Sequence, residues 1–464
     1  MGITWDLAAF SSGARPDRLP PAVMSRARLL LLDFIGNIVC ARHDAESTPS
    51  LVTATRALGL AAGNSTVFGD TMGYTPAGAA LLNGALGHSL EFDDTHTAGS
   101  MHPGCTVIPA ALAAGEIHGA SGADVLAGIV AGYDVACRIA LALPAADHFA
   151  RGFQPTSTCG VFAAAAAAAR VFGLDPAGIE SALGIALSQS AGSPQYVANG
   201  AWTKRFQVGW AAMSGLAAAC LAREGFRGAI EALEGKHGFL QRSPSANPAR
   251  VVRALATEFE LMNTAVKPYP CCRFGHAGID AALAFRTETA IDPTQIERVT
   301  YGTSEVGMDL IGAPATKRQN PRTVVDGQFS GPFMIAAALA TGHMNWDSYA
   351  LLHDPVVRTL LPRIISMVDG QVQAEFPDNM SGKLTIVAGG RTWQRMVRVP
   401  KGEPSTFLTD AELRAKFTAL TSPCLGQVRA NQLADAVLAL NNEVTLAGLT
   451  RLAAPATSTR LAGE

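Results

Sequence analysis

The sequence lacks several features that would assign it to a common class of proteins. Only 16% of its 464 residues are charged, and 36 lysines and arginines nearly balance 38 aspartates and glutamates. No basic block therefore predicts a nucleic-acid or anionic-membrane partner. The most apolar run, 29–40, is interrupted by Asp33 and Asn37 and is too short to span a bilayer. We expect a soluble protein that binds a small molecule.

Motifs for cofactors, metals and export are also missing. No phosphate-binding glycine loop, dinucleotide-binding motif or serine-hydrolase elbow occurs. The eight cysteines have no paired spacing, so the sequence predicts no zinc site and no disulfide framework, as in a reducing cytoplasm. The first residues lack a basic stretch before an apolar one, and we expect neither export nor a lipid anchor. We predict a cytoplasmic protein without a metal.

Helical periodicity dominates the first half of the chain. Apolar residues recur at helical spacing, and runs of alanine leave little side-chain bulk, which lets helix axes approach closely. The predicted helices are 21–42, 75–93, 104–118, 121–143, 156–172, 176–190 and 202–224. This half is predicted to be a buried bundle.

The composition changes after the prolines at 268 and 270. Segments 296–306, 383–388 and 391–399 read as strands, the last two joined by a Gly-Gly turn, with helical runs between them. The predicted fold is mainly α, with a large all-helical domain and a smaller α+β lid domain. The predicted boundaries are 1–266 joined by 402–454 for the helical domain, 267–401 for the lid, and 455–464 for a frayed tail.

Three carboxylates and three imidazoles lie between residues 87 and 104 of this weakly charged chain. On a helix that extends to Asp94, His88, Glu91 and Thr95 share one face, which would present an acid and an imidazole to a cavity. His102 precedes a proline, which favours an extended loop that could aim a catalytic base. The alternatives are that the acids end a helix and solvate a loop, and that the histidines pack or punctuate loops.

Two further clusters carry cations. Lys204 and Arg205 open a helix, where two positive charges oppose the macrodipole unless an anionic ligand binds there. The segment 266–276 contains two cations, Lys267 and Arg273, that can clamp carboxylates. In the same segment, Cys272 or His276 can shuttle a proton. Surface cations and packed thiols are the alternative interpretations.

With these segments in view, the chain resembles the MmgE/PrpD family, which includes 2-methylcitrate dehydratase, cis-aconitate decarboxylase and iminodisuccinate epimerase. The likeness covers roughly residues 5 to 450, with its motifs in the expected order. Its carriers are the segments 87–95, 102–103, 155–162, 203–205, 267–272 and 328–330, together with His276. Together these motifs are specific to the family.

The resemblance implies a helical domain closed by an α+β lid, a homodimer, and an active site in the cleft between them without metal or organic cofactor. It implies removal or relocation of a proton next to a carboxylate in a small di- or tricarboxylic acid. Carried over by position, the pocket residues are Glu91, Thr95, His102, Lys204 and Lys267. The lysines would hold carboxylates, and His102 would carry the proton while Glu91 orients it or the substrate.

The chain departs from the family pattern at several positions. Glu91 replaces a common Asp, Gln154 and Gln207 replace common histidines, and Cys272 stands where the dehydratase and the decarboxylase have a histidine, as in the epimerase. Glutamine cannot act as a general acid or base. We predict that His102, Lys204, Lys267 and Glu91 are catalytic. The predicted substrate-binding residues are Thr95, Gln154, Arg205, Cys272, Arg273 and His276.

Four hypotheses about the function follow. The leading one is a lyase similar to 2-methylcitrate dehydratase, with epimerisation of an iminodisuccinate-like diacid nearly tied because Cys272 and His276 favour it. Decarboxylation ranks third, because imidazoles are missing at Cys272 and Gln154. A hypothesis from a different class is a non-catalytic carboxylate-binding protein. Gln154 and Gln207 favour it.

Overall fold

The computed structural model describes residues 2–455. The chain divides into two compact units. The first unit comprises the described residues up to Ala265 and those from Thr409 onward, and the second unit is Val266–Leu408. The tail predicted at 455–464 lies outside the described residues except for Pro455.

The first unit is built from long helices. The helices of ten or more residues are α1 (Ile3–Gly13), α2 (Pro21–Asp44), α3 (Thr48–Ala57), α4 (Pro76–Gly87), α5 (Gly104–His118), α6 (Gly122–Leu141), α7 (Pro155–Val171), α8 (Pro176–Leu187), α9 (Thr203–Arg223), α12 (Asp410–Leu425) and α13 (Gln427–Leu438). Helix starts follow capping chemistry, since Thr75, Ser121 and Asp175 each accept a hydrogen bond from a backbone N–H of the first turn.

Helix α7 is the central helix of the first unit. Every residue from Pro155 to Val171 is buried, and α5, α6, α8 and α9 all pack against it. The alanine run 163–169 makes this possible, because methyl side chains let neighbouring helices pack closely on every side. The buried bundle predicted from the alanine content is confirmed.

The first unit also contains two short strands, so its description as all-helical needs a correction. Strand β1 (Ala61–Thr66) pairs antiparallel with β2 (Gly73–Tyr74). The exposed and half-exposed positions of β1 include glycine, asparagine and alanine. This strand therefore lacks the alternation of apolar and polar residues by which a strand is predicted from sequence. The fold class itself, mainly α with a smaller α+β part, is confirmed.

The second unit contains a four-stranded sheet with the order β4-β3-β5-β6. Its strands are β3 (Ile296–Thr303), β4 (Ile364–Val368), β5 (Gly382–Ala388) and β6 (Arg391–Val397). β3 runs parallel to β4 and antiparallel to β5, and Gly389 and Gly390 adopt positive φ in the turn before β6. Strand β4 was not predicted.

Helices α10 (His276–Glu288) and α11 (Gly331–Thr341) pack against each other in the second unit, and α10 also packs on β5 and β6. One of the helical runs predicted between the strands forms a 3₁₀ helix, Trp346–His353. Within the part of the chain that the structure describes, no helix is both long and apolar enough to cross a membrane.

Candidate functional site

The polar cluster at 87–104 lies on a turn, which corrects the prediction of a helix extending to Asp94. Helix α4 ends at Gly87, and Glu91 adopts a left-handed backbone with φ of 54°. His88, Glu91 and Thr95 therefore do not share a helix face. The early end of α4 agrees with the unfavourable position of acids at a helix C-terminus. A Cβ at Gly87 would collide with the ring of Phe34, so only glycine fits there.

Asp93 lies between two imidazoles. Its Oδ2 is 2.6 Å from Nδ1 of His88 and 3.4 Å from Nδ1 of His102. Asp93 and His88 are fully buried, whereas the His102 side chain is 17% exposed. His102 is thus the one of these two histidines that a dissolved substrate can reach. Sequence reasoning left Asp93 out of the predicted site and missed this contact, although the presence of two histidines near it was a signal.

The tautomer of His102 follows from its hydrogen bonds. Its Nδ1 lies 2.8 Å from the backbone carbonyl oxygen of Asp94, and a carbonyl can only accept. Nδ1 therefore carries a hydrogen, and Nε2 is the atom at which the neutral ring accepts a proton. The backbone N–H of His102 donates to Oγ1 of Thr156 at 3.1 Å, which fixes the loop to α7.

Asp94 anchors the same loop as a buried acid. Tyr133 donates a hydrogen bond of 2.6 Å to its Oδ2, and the backbone N–H of Gly104 donates to Oδ1 at 3.1 Å. Burial raises the pKa of Asp94 to about 8, and the nearby Asp93 carboxylate adds to the rise. Asp94 is therefore mostly protonated at neutral pH.

Lys204 forms a buried ion pair with Glu91. Lys204 is the second residue of α9, as predicted, and Arg205 beside it donates to Oγ of Ser47 at 3.3 Å. Burial by itself lowers the pKa of Lys204, but the Glu91 carboxylate and further negative groups, Asp93 among them, outweigh burial, so the pKa is raised. The ammonium is charged and lies within electrostatic range of the Asp93 carboxylate.

The approach of α4 and α9 brings this lysine to the turn. A Cβ at Gly84 would lie 2.8 Å from Cα of Gly209 on α9 and 2.8 Å from the carbonyl oxygen of Cys105. Ordinary Cβ contacts are longer than this, so both glycines are needed for the close crossing. Because α4 leads into Glu91 and Lys204 lies in the first turn of α9, the crossing helps to set where the two charges meet.

Tyr196 lies near the ion pair and contacts Gln154. Gln154 is buried and caps α7, where its Oε1 accepts a hydrogen bond of 2.8 Å from the backbone of Ser157. Burial raises the pKa of Tyr196. Its hydroxyl interacts electrostatically with Lys204 and Glu91 and forms a hydrogen bond with Gln154. Sequence reasoning missed Tyr196, because no motif marks a tyrosine that is brought in by a connecting segment.

Thr95 has a buried hydroxyl. Its backbone pairs with Ala265 in an isolated antiparallel bridge, and its Oγ1 has no hydrogen-bond partner among the residues that the structure describes. A buried hydroxyl without a partner is costly unless a ligand or water satisfies it. The orientation is consistent with the predicted role of Thr95 in binding.

The second unit holds the other predicted site residues. Lys267 is 2% exposed, His276 is fully buried at the start of α10, and Cys272 is half-buried. Arg273 pairs with Glu403, while its Nε and Nη1 have no hydrogen-bond partner within residues 2–455. Burial lowers the pKa of Arg273 to about 10, which still leaves it charged at neutral pH. The second unit thus carries two buried cations of its own.

One group of side chains has the chemistry of metal ligands. Donor atoms of His88, Asp93 and Cys105 lie within 4.8 Å of one another in the buried part of the first unit. Each has a partner within the protein, since His88 bonds Asp93 and the thiol of Cys105 donates to the carbonyl of His102 at 3.1 Å. Burial raises the pKa of Cys105 well above its usual value, which disfavours the thiolate that a metal needs. These residues fit a hydrogen-bonded cluster better than a metal site.

Two family models match the chain. Residues 5–250 match the MmgE/PrpD N-terminal domain, and residues 269–442 match the MmgE/PrpD C-terminal domain. The chain is 30% identical to cis-aconitate decarboxylase-like protein oryM of Aspergillus oryzae over 97% of both chains. It is 26% identical to cis-aconitate decarboxylase of Aspergillus terreus, over 97% of this chain and 96% of that protein. The human cis-aconitate decarboxylase is 28% identical over 78% of this chain and 76% of its own length.

Proposed function

The chain belongs to the MmgE/PrpD family, and from this premise we propose that it is a lyase acting on a small di- or tricarboxylic acid. The reaction moves a proton at a carbon next to a carboxylate. The observation that carries the proposal is the hydrogen bond from Nδ1 of His102 to the carbonyl of Asp94, which makes Nε2 the proton carrier on a partly exposed ring.

Two charged groups complete the proposed roles in the first unit. Asp93 stabilises the imidazolium that forms when Nε2 of His102 takes a proton, because its carboxylate lies 3.4 Å from Nδ1. Lys204 binds a substrate carboxylate and stabilises the negative charge that develops on it as the neighbouring carbon gains electron density. Glu91 holds the ammonium of Lys204 in place until substrate arrives.

Decarboxylation of an unsaturated tricarboxylate is the reaction that the named relatives favour, and we place it ahead of dehydration. In that reaction a carbon–carbon bond breaks and carbon dioxide leaves. The electron pair of that bond shifts through the carbon–carbon double bond toward the carbon next to a second carboxylate, and this carbon takes a proton from Nε2 of His102, which must enter the step as the imidazolium. His102 thus begins this reaction as an acid, whereas for proton removal it begins as the neutral base, and Gln154 and Cys272 supply no imidazole.

Dehydration of a 2-methylcitrate-like acid is the second candidate. Here His102 removes the proton next to a carboxylate and the intermediate expels hydroxide, which needs the same proton carrier and the same cation. Epimerisation of an iminodisuccinate-like diacid would end with return of the proton to the other face, and Cys272 is the residue that favours it. A protein that binds the acid without turning it over remains the alternative from a different class.

One experiment separates these reactions. The purified protein is incubated in deuterated water with cis-aconitate, with a 2-methylcitrate-type hydroxy acid and with a chiral diacid, and the products are followed by NMR. Loss of carbon dioxide supports decarboxylation, loss of water supports dehydration, and deuterium exchange without either supports epimerisation. Thermal stabilisation by the acids with no turnover would support the binding protein and contradict the proposed enzyme.

The homodimer and the cytoplasmic location stay predictions that the family resemblance and the sequence composition support. Light scattering on the purified protein at several concentrations tests the first: a mass near twice 48.2 kDa would support it, and a mass near 48.2 kDa would contradict it. Fractionation of the source cells tests the second.

A further inference from the structure

We propose that Lys416, far along the chain from the predicted motifs, is a positioning residue that fixes the turn carrying Glu91 and Asp93. This inference rests on the proposed function for its effect on kcat, whereas its effect on the position of the turn can be measured without turnover. Lys416 lies on α12, which belongs to the first unit. It acts through the backbone carbonyl of Phe92, between the two acids.

Lys416 contacts Phe92 in two ways. Its Nζ donates a hydrogen bond of 2.9 Å to the carbonyl oxygen and lies 3.7 Å from the centroid of the ring. The same ammonium forms an ion pair of 2.6 Å with Oδ1 of Asp33 on α2, and the two side chains are 7% and 1% exposed. A cation in this position gives a charge-assisted hydrogen bond, which is roughly twice as strong as a neutral one.

A second donor bonds the same oxygen. Nδ2 of Asn37, one turn after Asp33 on α2, donates to the carbonyl of Phe92 at 3.2 Å. The carbonyl of Phe92 and the nitrogen of Asp93 belong to one rigid peptide plane. Two donors that fix this oxygen therefore also restrict where the Asp93 carboxylate can lie between His88 and His102.

The backbone conformation of Glu91 gives these contacts a purpose. Glu91 has φ of 54°, a conformation that a residue with a Cβ adopts only when its surroundings enforce it. Phe92, whose carbonyl oxygen accepts hydrogen bonds from Lys416 and Asn37, is the residue that follows Glu91. A buried ion pair by itself contributes little net stability, because desolvation offsets the attraction. The ion pair between Lys416 and Asp33 is therefore better explained by a role in positioning the turn than by a role in stabilising the fold.

The test removes the donors to Phe92 in two independent ways. Lys416→Met combined with Asp33→Asn deletes the ammonium without leaving a buried carboxylate unpaired. Asn37→Leu deletes the second donor without touching any charge, and its Oδ1 has no hydrogen-bond partner in the described chain, so little is lost by removing it. The matched control is Arg414→Gln on the same helix, which breaks an exposed 2.7 Å pair with Asp435.

Two quantities are measured for each variant. The first is kcat and KM on the acid that the wild-type protein turns over. The second is the set of ¹⁵N shifts of the histidine rings, with the His102 signals assigned from His102→Asn. We expect kcat to fall about 10- to 100-fold in the double variant, and less in Asn37→Leu, with KM nearly unchanged, because small displacements of reacting groups cost rate. We expect the Nδ1–H tautomer of His102 to become mixed.

The outcomes are distinguishable. Unchanged kcat and unchanged His102 shifts in both donor variants, or an equal loss in Arg414→Gln, would overturn the positioning role. If the double variant does not fold, Asn37→Leu alone decides between these results. If no acid is turned over even by the wild-type protein, but the His102 shifts still change in the donor variants, the positioning role stands and the proposed function fails.

Discussion

Nδ1 of His88 lies 2.6 Å from Oδ2 of Asp93, and neither side chain is exposed to solvent. The same Oδ2 lies 3.4 Å from His102, whose ring packs edge-on to that of His88 with centroids 4.8 Å apart. His88 thus holds the carboxylate from the buried side, and His102 contacts it from the side that is partly exposed. This order explains why two adjacent histidines would have different roles: one orients Asp93, and the other exchanges a proton.

Replacing His102 by asparagine tests the proton carrier. The amide Nδ2 of asparagine can still donate to the carbonyl of Asp94, so we expect the fold to be retained while the basic Nε2 is lost. Turnover should fall about 10²- to 10⁴-fold, the usual contribution of a general acid or base. The measurement is kcat on the acid identified by NMR, with His118→Asn, at the end of α5, as the matched control. Activity within threefold of wild type would rule out His102 as the carrier.

Lys204 and Glu91 can be separated by a double-mutant comparison. Lys204→Met should lower kcat/KM about 10²- to 10³-fold if the ammonium stabilises developing charge on the substrate. Glu91→Gln combined with Lys204→Met removes the buried unpaired carboxylate that the single variant leaves behind. If the lysine binds substrate, the double variant stays as inactive as the single one.

Recovery of activity in that double variant would mean that Lys204 serves only to neutralise Glu91. The control is Lys236→Met, which removes an exposed lysine of the first unit. It should leave kcat/KM within experimental error, since a surface lysine contributes little to either stability or binding.

The sequence could predict most of the helices but not where the decisive one ends. Helical periodicity located α5 and α9 to within one residue, because this signal is local. The end of α4 at Gly87 is set by packing against Phe34 and by donors from α2 and α12 that hold Phe92, and no local pattern reports contacts between distant segments.

The same limit applies to the candidate site. Glu91 and Lys204 were both singled out, each from its own surroundings, but their ion pair joins residues 113 positions apart. Asp93 was left out of the predicted site, which relied on a helix extending to Asp94 that the structure does not have. Residue types in a dense polar cluster can therefore indicate where chemistry lies, whereas the partners depend on the tertiary fold.

The buried acid Asp94 predicts a specific pH dependence of stability. Its pKa is raised from 3.8 to about 8, so between these values the folded state holds a proton that the unfolded chain has released. The stability that the folded state gains by holding this proton is therefore fully present below about pH 4 and is lost as pH rises toward 8. In this pH range Asp94 should lower the free energy of unfolding of the wild-type protein by up to about 1.4 kcal/mol per pH unit. Asp94→Asn should abolish this part of the pH dependence.

The measurement for Asp94→Asn is the free energy of unfolding in urea at pH 5, 6.5 and 8. We expect the variant to be less stable than wild type at pH 5 and to gain on it steadily as the pH rises. Glu258→Gln, which changes an exposed carboxyl group, is the control and should run parallel to wild type. Parallel curves for Asp94→Asn as well would show that the acid is already ionised in the folded state.

The close crossing of α4 and α9 should be intolerant of a single methyl group. In Gly84→Ala the new Cβ would lie 2.8 Å from both Gly209 Cα and the carbonyl oxygen of Cys105, so the helices must separate. Overpacking of this kind costs about 1–3 kcal/mol in the free energy of unfolding. Because α4 leads to Glu91 and Lys204 lies in the first turn of α9, we also expect kcat to fall at a temperature where the variant remains folded. Gly13→Ala, at the end of α1 with open space around it, should be neutral or slightly stabilising in both assays. A Gly84→Ala variant as stable and as active as wild type would show that the contact between these helices does not set the position of the ion pair.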